Sequence, residues 1–292
     1  SIFNKLMKSK NNNLLGILFM ILSMFSLSIN DMTYKYLSFH FSVWESIFFR
    51  ALSGSIIALL LAMYFGFDKL KTKKPIGHFI RAFSASGCVV FYIYGINNLM
   101  LSENIAIAHS APIIAAFLAV PILGERIGIF RTSAILIGFI GVLIIVKPGT
   151  DLFKFESLYP LISACFMASV YLSTRSVMST DSSVAIIFYY SFALLITSLV
   201  FFPSDFIMPN LVQLMFAMSL GVMGSFGHFF MSQAAKNADV AVTSPFEYSS
   251  FIFVGLMGFL IFAEIPTYSV YFGGFIIISS GIFIAYRERK NN

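Results

Sequence analysis

Six residues of this chain carry chemistry that their apolar surroundings disfavour: Asp31, Arg50, His109, His228, Glu247 and Tyr248. A charge at the centre of a bilayer costs at least about 2.5–3.5 kcal/mol on insertion scales, so each one inside an apolar run needs a partner or a task. Arg50 follows Ser42-Val43-Trp44-Glu45-Ser46-Ile47-Phe48-Phe49. Its planar fork suits a substrate carboxylate or phosphate; the alternatives are an ion pair with Asp31 or Glu45, or reaching back to the membrane surface. Asp31 and Lys35 are four apart and share a helical face, either as part of a site or as a solvated helix end. His109 is a substrate or proton ligand, or else a side chain bonded to nearby backbone. His228 follows Gly221, Gly224 and Gly227, whose spacing makes a smooth stripe for close helix approach. Glu247 sits in Ser244-Pro245-Phe246-Glu247-Tyr248-Ser249-Ser250. It lies about eight residues into its run, which at about 1.5 Å per residue is about 12 Å deep, near the midplane of a core about 30 Å thick. Pro245 removes a backbone donor there and breaks the helix locally. A carboxylate so placed holds a substrate cation, pairs with His109 or Arg50, carries a proton, or bridges helices in its protonated form. Tyr248, like Tyr92, Tyr94, Tyr189 and Tyr190, offers an amphipathic wall or simple packing.

The elements that must hold these residues follow from composition. The chain is 58% hydrophobic and only 11% charged, where soluble domains carry about 45–50% apolar and about 25% charged residues. Ten apolar runs lie near 13–34, 42–65, 78–99, 104–123, 130–146, 157–176, 184–202, 211–234, 240–262 and 267–286. Runs near 20 residues without strict alternation are helices that cross a membrane. The fold class expected is all-α polytopic membrane protein with ten transmembrane helices and no sizeable soluble domain. The first run follows Lys5, Lys8 and Lys10 and lacks a small-residue cleavage site, so it reads as a retained span. The net charge of +6 would suggest nucleic acid in a soluble protein. Here the basic residues sit in short loops, so the expected partners are membrane lipid and a small-molecule substrate, with no nucleic acid. Cys88 and Cys165 both fall in apolar runs and read as buried small hydrophobes. No metal-ligand spacing, phosphate-cradling loop or ATP-binding motif occurs, so neither metal nor cofactor is expected, and transport would run on gradients or exchange, with proton coupling one option.

With the N-terminus inside, fifteen of the nineteen Lys and Arg fall on the inner side, which predicts cytoplasmic termini. The chain also repeats. Shifted by about 139 residues, Leu123-Gly124-Glu125 meets Phe262-Ala263-Glu264, and Ser84-Ala85-Ser86-Gly87 meets Met223-Gly224-Ser225-Phe226. Two five-helix halves, 1–149 and 150–292, are expected, and the odd span number inverts the second. Glu125 and Glu264 close symmetry-related spans and read as caps or gate elements. Glu247 corresponds to Ala108, so the two halves bring Glu247 and His109 towards one another.

Several segments together carry a family likeness. They are Asn30-Asp31-Met32 with Lys35, Phe48-Phe49-Arg50, Ala108-His109-Ser110-Ala111-Pro112, Leu123-Gly124-Glu125-Arg126 and the run from Gly138 to Gly149. The second half adds Gly227-His228, Ser244-Pro245-Phe246-Glu247-Tyr248 and Phe262-Ala263-Glu264-Ile265-Pro266. In their order and spacing these resemble the drug/metabolite transporter superfamily, in its EamA-type ten-helix branch. The resemblance implies two inverted five-helix repeats around a central cavity and transport of small organic solutes by alternating access. It points to bacterial metabolite importers, including S-adenosylmethionine and riboflavin types. One departure is His109, where relatives often have an apolar or hydroxyl residue.

The function expected is a secondary transporter in the bacterial inner membrane, not an enzyme. Its solute would be zwitterionic, amino-acid-like or S-adenosylmethionine-like. The competing classes are a membrane-embedded transferase, which would need an acid, base or metal cluster at one membrane face, and a passive channel. Topology is directly testable. Cysteines placed at Lys73 and Lys290 should be protected from an impermeant thiol reagent in intact cells, and one at Lys154 should be labelled; the reverse pattern overturns the orientation.

Overall fold

The computed structural model describes residues 13–123, 128–177, 180–238 and 243–291. Among the described residues there are eleven α-helices and no strand. They are α1 (Asn13–Leu37), α2 (Val43–Phe65), α3 (Pro75–Asn98), α4 (Leu101–Ala108), α5 (Ala111–Leu123), α6 (Ile129–Val146), α7 (Leu158–Val177), α8 (Ser183–Val200), α9 (Leu211–Asn237), α10 (Ser249–Phe262) and α11 (Tyr268–Asn291). α4 and α5 together form the fourth span. A 3-10 helix, Ser244–Tyr248, leads into α10 and completes the ninth. Six helical segments are long and apolar enough to cross a bilayer, and four shorter apolar helices of 10–17 residues complete the ten.

The side chains are sorted for lipid. Leu60, Phe79, Phe83, Leu136, Leu256, Leu260 and Phe275 face outward, while Ser23, Ser53, Ser84, Ala58 and Ala62 are buried. Lipid tails are as apolar as leucine, so helices gain little by hiding leucine from them; small residues and interhelical hydrogen bonds hold such a bundle together. The α1–α9 seam uses both. Ser23 Oγ donates to the Gly227 carbonyl at 2.8 Å, Ser26 Oγ to Met223 at 2.9 Å and Asn30 Nδ2 to Leu220 at 2.5 Å. The α3–α7 seam answers it. Ser163 Oγ donates to the Cys88 carbonyl at 2.8 Å, and the Ser84 and Ser169 hydroxyls lie 2.9 Å apart. Between α6 and α11 the backbones nearly touch: a Cβ at Gly141 would lie 2.9 Å from the Gly273 carbonyl.

The packing pairs obey an inverted-repeat symmetry. α1 packs on α9 as α7 packs on α3, α2 on α9 as α8 on α3, and α1 on α10 as α7 on α5. α2 with α8 and α6 with α11 pair across the symmetry axis itself. Both cysteines are free thiols, and Cys165 faces outward beside Ile162 and Phe166 instead of being buried. Its helix presents that side to the lipid, where a small apolar thiol is as well accommodated as in a core.

Each end of the bundle has a tie between the two halves. At one end Lys35 Nζ meets Glu264 Oε1 at 3.2 Å and donates to the carbonyls of Ile96 (3.0 Å) and Leu99 (2.6 Å). Glu264 Oε2 accepts from the Leu101 N–H at 2.7 Å. One ion pair thus caps the end of α3 and the start of α4. Glu125, the symmetry counterpart of Glu264, lies outside the described residues. At the other end the Asp181 carboxylate accepts from the Thr72 hydroxyl and from the Lys73 N–H (3.3 Å), and contacts His78 Nε2 at 2.9 Å. The Thr72 hydroxyl, with further bonds from Thr180, Lys73 and His78, holds the Asp181 carboxyl well below the usual carboxylate range, against the opposing effect of burial.

Lys35→Met strands the Glu264 carboxylate and should destabilise the protein by about 3 kcal/mol. Thermal melting in detergent checks this, and Lys35→Met combined with Glu264→Gln should recover part of the loss. For Asp181 the lowered pKa means a stabilisation that is full above the ordinary carboxylate pKa near 4 and fades as pH falls below it. The melting gap between wild type and Asp181→Asn at pH 7 should therefore narrow below about pH 4.

Candidate functional site

Two polar clusters lie inside the bundle. The first is built on α2, which starts with a capping box: Glu45 N donates to Ser42 Oγ at 3.3 Å and Ser42 N to Glu45 Oε2 at 2.8 Å. The other Glu45 oxygen accepts from the Ile207 N–H at 2.8 Å. Glu45 is therefore occupied by backbone and does not pair with Arg50, just over one helical turn further on. Arg50 Nη1 donates to the Tyr34 hydroxyl at 3.1 Å and to Asn30 Oδ1 at 3.5 Å, and its Cζ stands 5.7 Å from the Tyr34 ring centroid. Among the described residues Nη2 and Nε have no hydrogen-bond acceptor, and no carboxylate lies within ion-pair distance of the guanidinium. Asp31 turns to Tyr92, whose hydroxyl donates to Oδ2 at 2.8 Å. Lys35, which shares a helical face with Asp31, points instead to Glu264.

The second cluster forms where spans four and nine are both broken. α4 ends at Ala108 and α5 begins at Ala111, leaving His109 and Ser110 between them. The 3-10 turn Ser244–Tyr248 has proline in its first turn, as a residue without an N–H allows. His109 shifted by the offset of about 139 is Tyr248, and these two rings meet, 5.2 Å between centroids and 78° between planes. The pseudo-symmetry axis therefore passes close to their contact. Gly281 makes room for Tyr248, since any side chain there would collide with the Tyr248 hydroxyl.

His109 Nε2 lies 2.9 Å from Ser250 Oγ, and that hydroxyl donates its one proton to the Glu247 carbonyl at 2.7 Å. Nε2 must then be the donor to Ser250, which fixes the neutral ring as the Nε2–H tautomer and leaves Nδ1 as an acceptor. Glu247 itself is half-buried, and among the described residues no hydrogen bond or ion pair reaches its carboxylate. Tyr171 of α7 and Tyr248 stand within electrostatic reach of it. His228, on α9, lies within electrostatic reach of Arg50 and Arg81.

Of the six sequence candidates, the structure thus brings His109 and Tyr248 into contact with Glu247 adjoining. It places Asp31 beside the Arg50 cluster, and it does not pair Glu247 with His109 or Arg50. Asn30, Tyr34, Ser250 and Tyr171 are the partners that sequence reasoning left out. Asn30 and Tyr34 carried a signal, an amide and a phenol four apart inside an apolar run.

The site can hold a negative group at the open edge of Arg50 and a positive group, or a proton, at Glu247. The chain is 31% identical to the S-adenosylmethionine uptake transporter of Rickettsia prowazekii over 94% of each chain. It is 26% identical to the pseudopaline exporter CntI of Pseudomonas aeruginosa over 94% of this chain and 97% of that one. It is also 26% identical to the riboflavin transporter of Vibrio cholerae over 98% of each. A solved crystal structure shares the fold with a TM-score of 0.60 at 14% identity, covering 95% of this chain and 98% of that one. The model of the EamA-like transporter family matches twice, over residues 14–147 and 154–286. With one copy in each half of the inverted bundle, the chain belongs to the EamA-like transporter family.

Proposed function

We propose that the small metabolite this transporter carries is zwitterionic, of the amino-acid or S-adenosylmethionine-like kind. It crosses the bacterial inner membrane by alternating access, with both termini cytoplasmic and the halves 1–149 and 150–292 as the repeat units. The observation that carries this reading is a pair of opposite charges, each with bonding capacity left over, on opposite repeats. Arg50 of α2 has Nη2 and Nε without an acceptor, and Glu247 before α10 has no bonded partner among the described residues. Unpaired charge in a lipid-solvated bundle is costly, so both groups gain most from a ligand that carries the complementary pair. The named activity of the Rickettsia relative, S-adenosylmethionine uptake, fits that ligand: an α-carboxylate for Arg50 and a cationic centre for Glu247 beside Tyr171 and Tyr248. Aromatic faces add cation–π attraction to such a group. Glu247 is also the residue placed to carry a proton when no substrate cation is bound.

The test is uptake of radiolabelled S-adenosylmethionine and an amino-acid panel into proteoliposomes. A transporter saturates and shows counterflow, a channel shows no counterflow, and an enzyme alters its substrate covalently. Arg50→Lys keeps the charge and loses the fork. It should raise the half-saturation concentration about tenfold or more, the loss of a charged hydrogen bond. Unchanged affinity with lower stability would make Arg50 a structural residue. Glu247→Gln keeps shape but cannot ionise, and should abolish concentrative uptake while the protein still folds. Wild-type accumulation by that variant from pH 5.5 to 8 would remove both the cation-binding and the proton-carrying role.

A further inference from the structure

The three glycines Gly221, Gly224 and Gly227 of α9 are spaced alike, but their surroundings differ. A Cβ at Gly221 would lie 2.5 Å from the Gly54 N and 2.8 Å from the Arg50 carbonyl, and one at Gly227 would lie 2.6 Å from Leu27 Cδ2. Those two are glycine because helices α1 and α2 come too close for anything larger. At Gly224 a Cβ would meet nothing nearer than Arg50 Nη2 at 3.5 Å and Asn30 Nδ2 at 3.7 Å, which is ordinary contact. Packing does not require glycine there, and alanine is the better helix former.

What the missing side chain leaves uncovered is Nη2 of Arg50. The rest of the guanidinium's setting is fixed. Asn30 Nδ2 is bound to the Leu220 carbonyl at 2.5 Å, so Oδ1 must face Nη1, which the Tyr34 hydroxyl also holds at 3.1 Å. An amide locked at one end cannot flip, so the free edge of Arg50 is directed towards α9 at Gly224.

We propose that Gly224 is a specificity-determining residue of the transport site: its lack of a side chain keeps Nη2 of Arg50 open to one oxygen of a substrate carboxylate. This rests on the reading of Arg50 as the anion-binding end and extends it to a residue that makes no polar contact of its own. A methyl at 224 fits the helix and its neighbours, yet lies in contact distance of Nη2 on the side a carboxylate oxygen needs for a bond of about 2.8 Å. Asn30 is the positioning residue that makes the arrangement one-sided.

The experiment compares wild type with Gly224→Ala in lipid nanodiscs, by calorimetric titration with S-adenosylmethionine and with its decarboxylated analogue. Melting temperatures should match, because there is room for the methyl. Gly224→Ala should weaken S-adenosylmethionine about tenfold, equivalent to about 1.4 kcal/mol, and leave the analogue within about twofold. Equal weakening of both compounds, or of neither, overturns the proposal while leaving the Arg50 reading intact. Binding of neither compound by wild type defeats the substrate reading, and phenylglyoxal modification of Arg50, measured by peptide mass spectrometry, then decides Gly224 alone. A slower adduct rate in Gly224→Ala supports it, and an equal rate overturns it.

Discussion

A guanidinium inside a lipid-solvated bundle has no bulk water to fall back on, so the protein must supply every partner Arg50 has. Tyr34 and Asn30 of α1 supply its hydrogen bonds, with Tyr190 and Asp31 in electrostatic reach, and Asn30 is itself anchored on α9 through the Leu220 carbonyl. The position of the charge therefore depends on the α1–α9 seam. That seam is closed by Ser23, Ser26 and Asn30 donating to carbonyls about one turn apart on α9, and by Gly227 making room for Leu27, while Gly221 lets the same helix approach the backbone of α2. Neither device is hydrophobic. In a bilayer the apolar side chains face outward at little gain, and the specificity of packing passes to hydroxyls, amides and glycines.

The same seam, inverted, joins α3 to α7, and the symmetry makes a second demand. Where the two copies meet at their axis, helices cannot both run straight through and leave polar atoms free, and spans four and nine are the ones that break. His109 and Tyr248 occupy equivalent places there and touch. The backbone is symmetric but the chemistry is not: the counterpart of Glu247 in the first half is Ala108, and that of Arg50 in the second is Tyr189. A symmetric frame with unlike charges at two points distinguishes the two ends of a zwitterion, which a symmetric site cannot do.

Much of this was legible because lipid simplifies the reading. Ten apolar runs gave ten spans, since backbone in hydrocarbon has little choice but helix. The break before α10 was announced by Pro245. The break at His109 and Ser110 had a comparable sign in Pro112, which has no N–H to bond back across it to Ala108; which ring His109 meets there depends on the other repeat. Local spacing misled where partners are distant. Asp31 and Lys35 share a face, yet one serves Tyr92 and the other Glu264. The repeat offset carried Glu247 to the neighbourhood of His109, but adjacent residues on a helix point about 100° apart, and it is Tyr248 and Ser250 that His109 meets. Cys165 read as buried because apolar runs do not say which face meets lipid.

Alternating access requires that ties between the halves be strong enough to close one end and few enough to release. The two ends meet this requirement with different chemistry. At the Lys35 end two ion pairs cross between the halves, Lys35–Glu264 and Lys154–Glu103, and Lys35 keeps the Ile96 and Leu99 carbonyls as partners within its own half. Separation there costs two Coulombic contacts and the bond from Leu101 to Glu264, without stranding the Lys35 ammonium. At the Asp181 end one carboxylate gathers a hydroxyl, a backbone N–H and an imidazole, all from the Thr72–His78 stretch of the other half. Releasing it exposes an acceptor that water outside the membrane satisfies at once. The two cross-half charges that keep partners on opening are thus Lys35, held by carbonyls, and Asp181, taken up by water, whereas the Glu264 carboxylate gives up both Lys35 and Leu101, so the energetic cost of opening that end falls on Glu264.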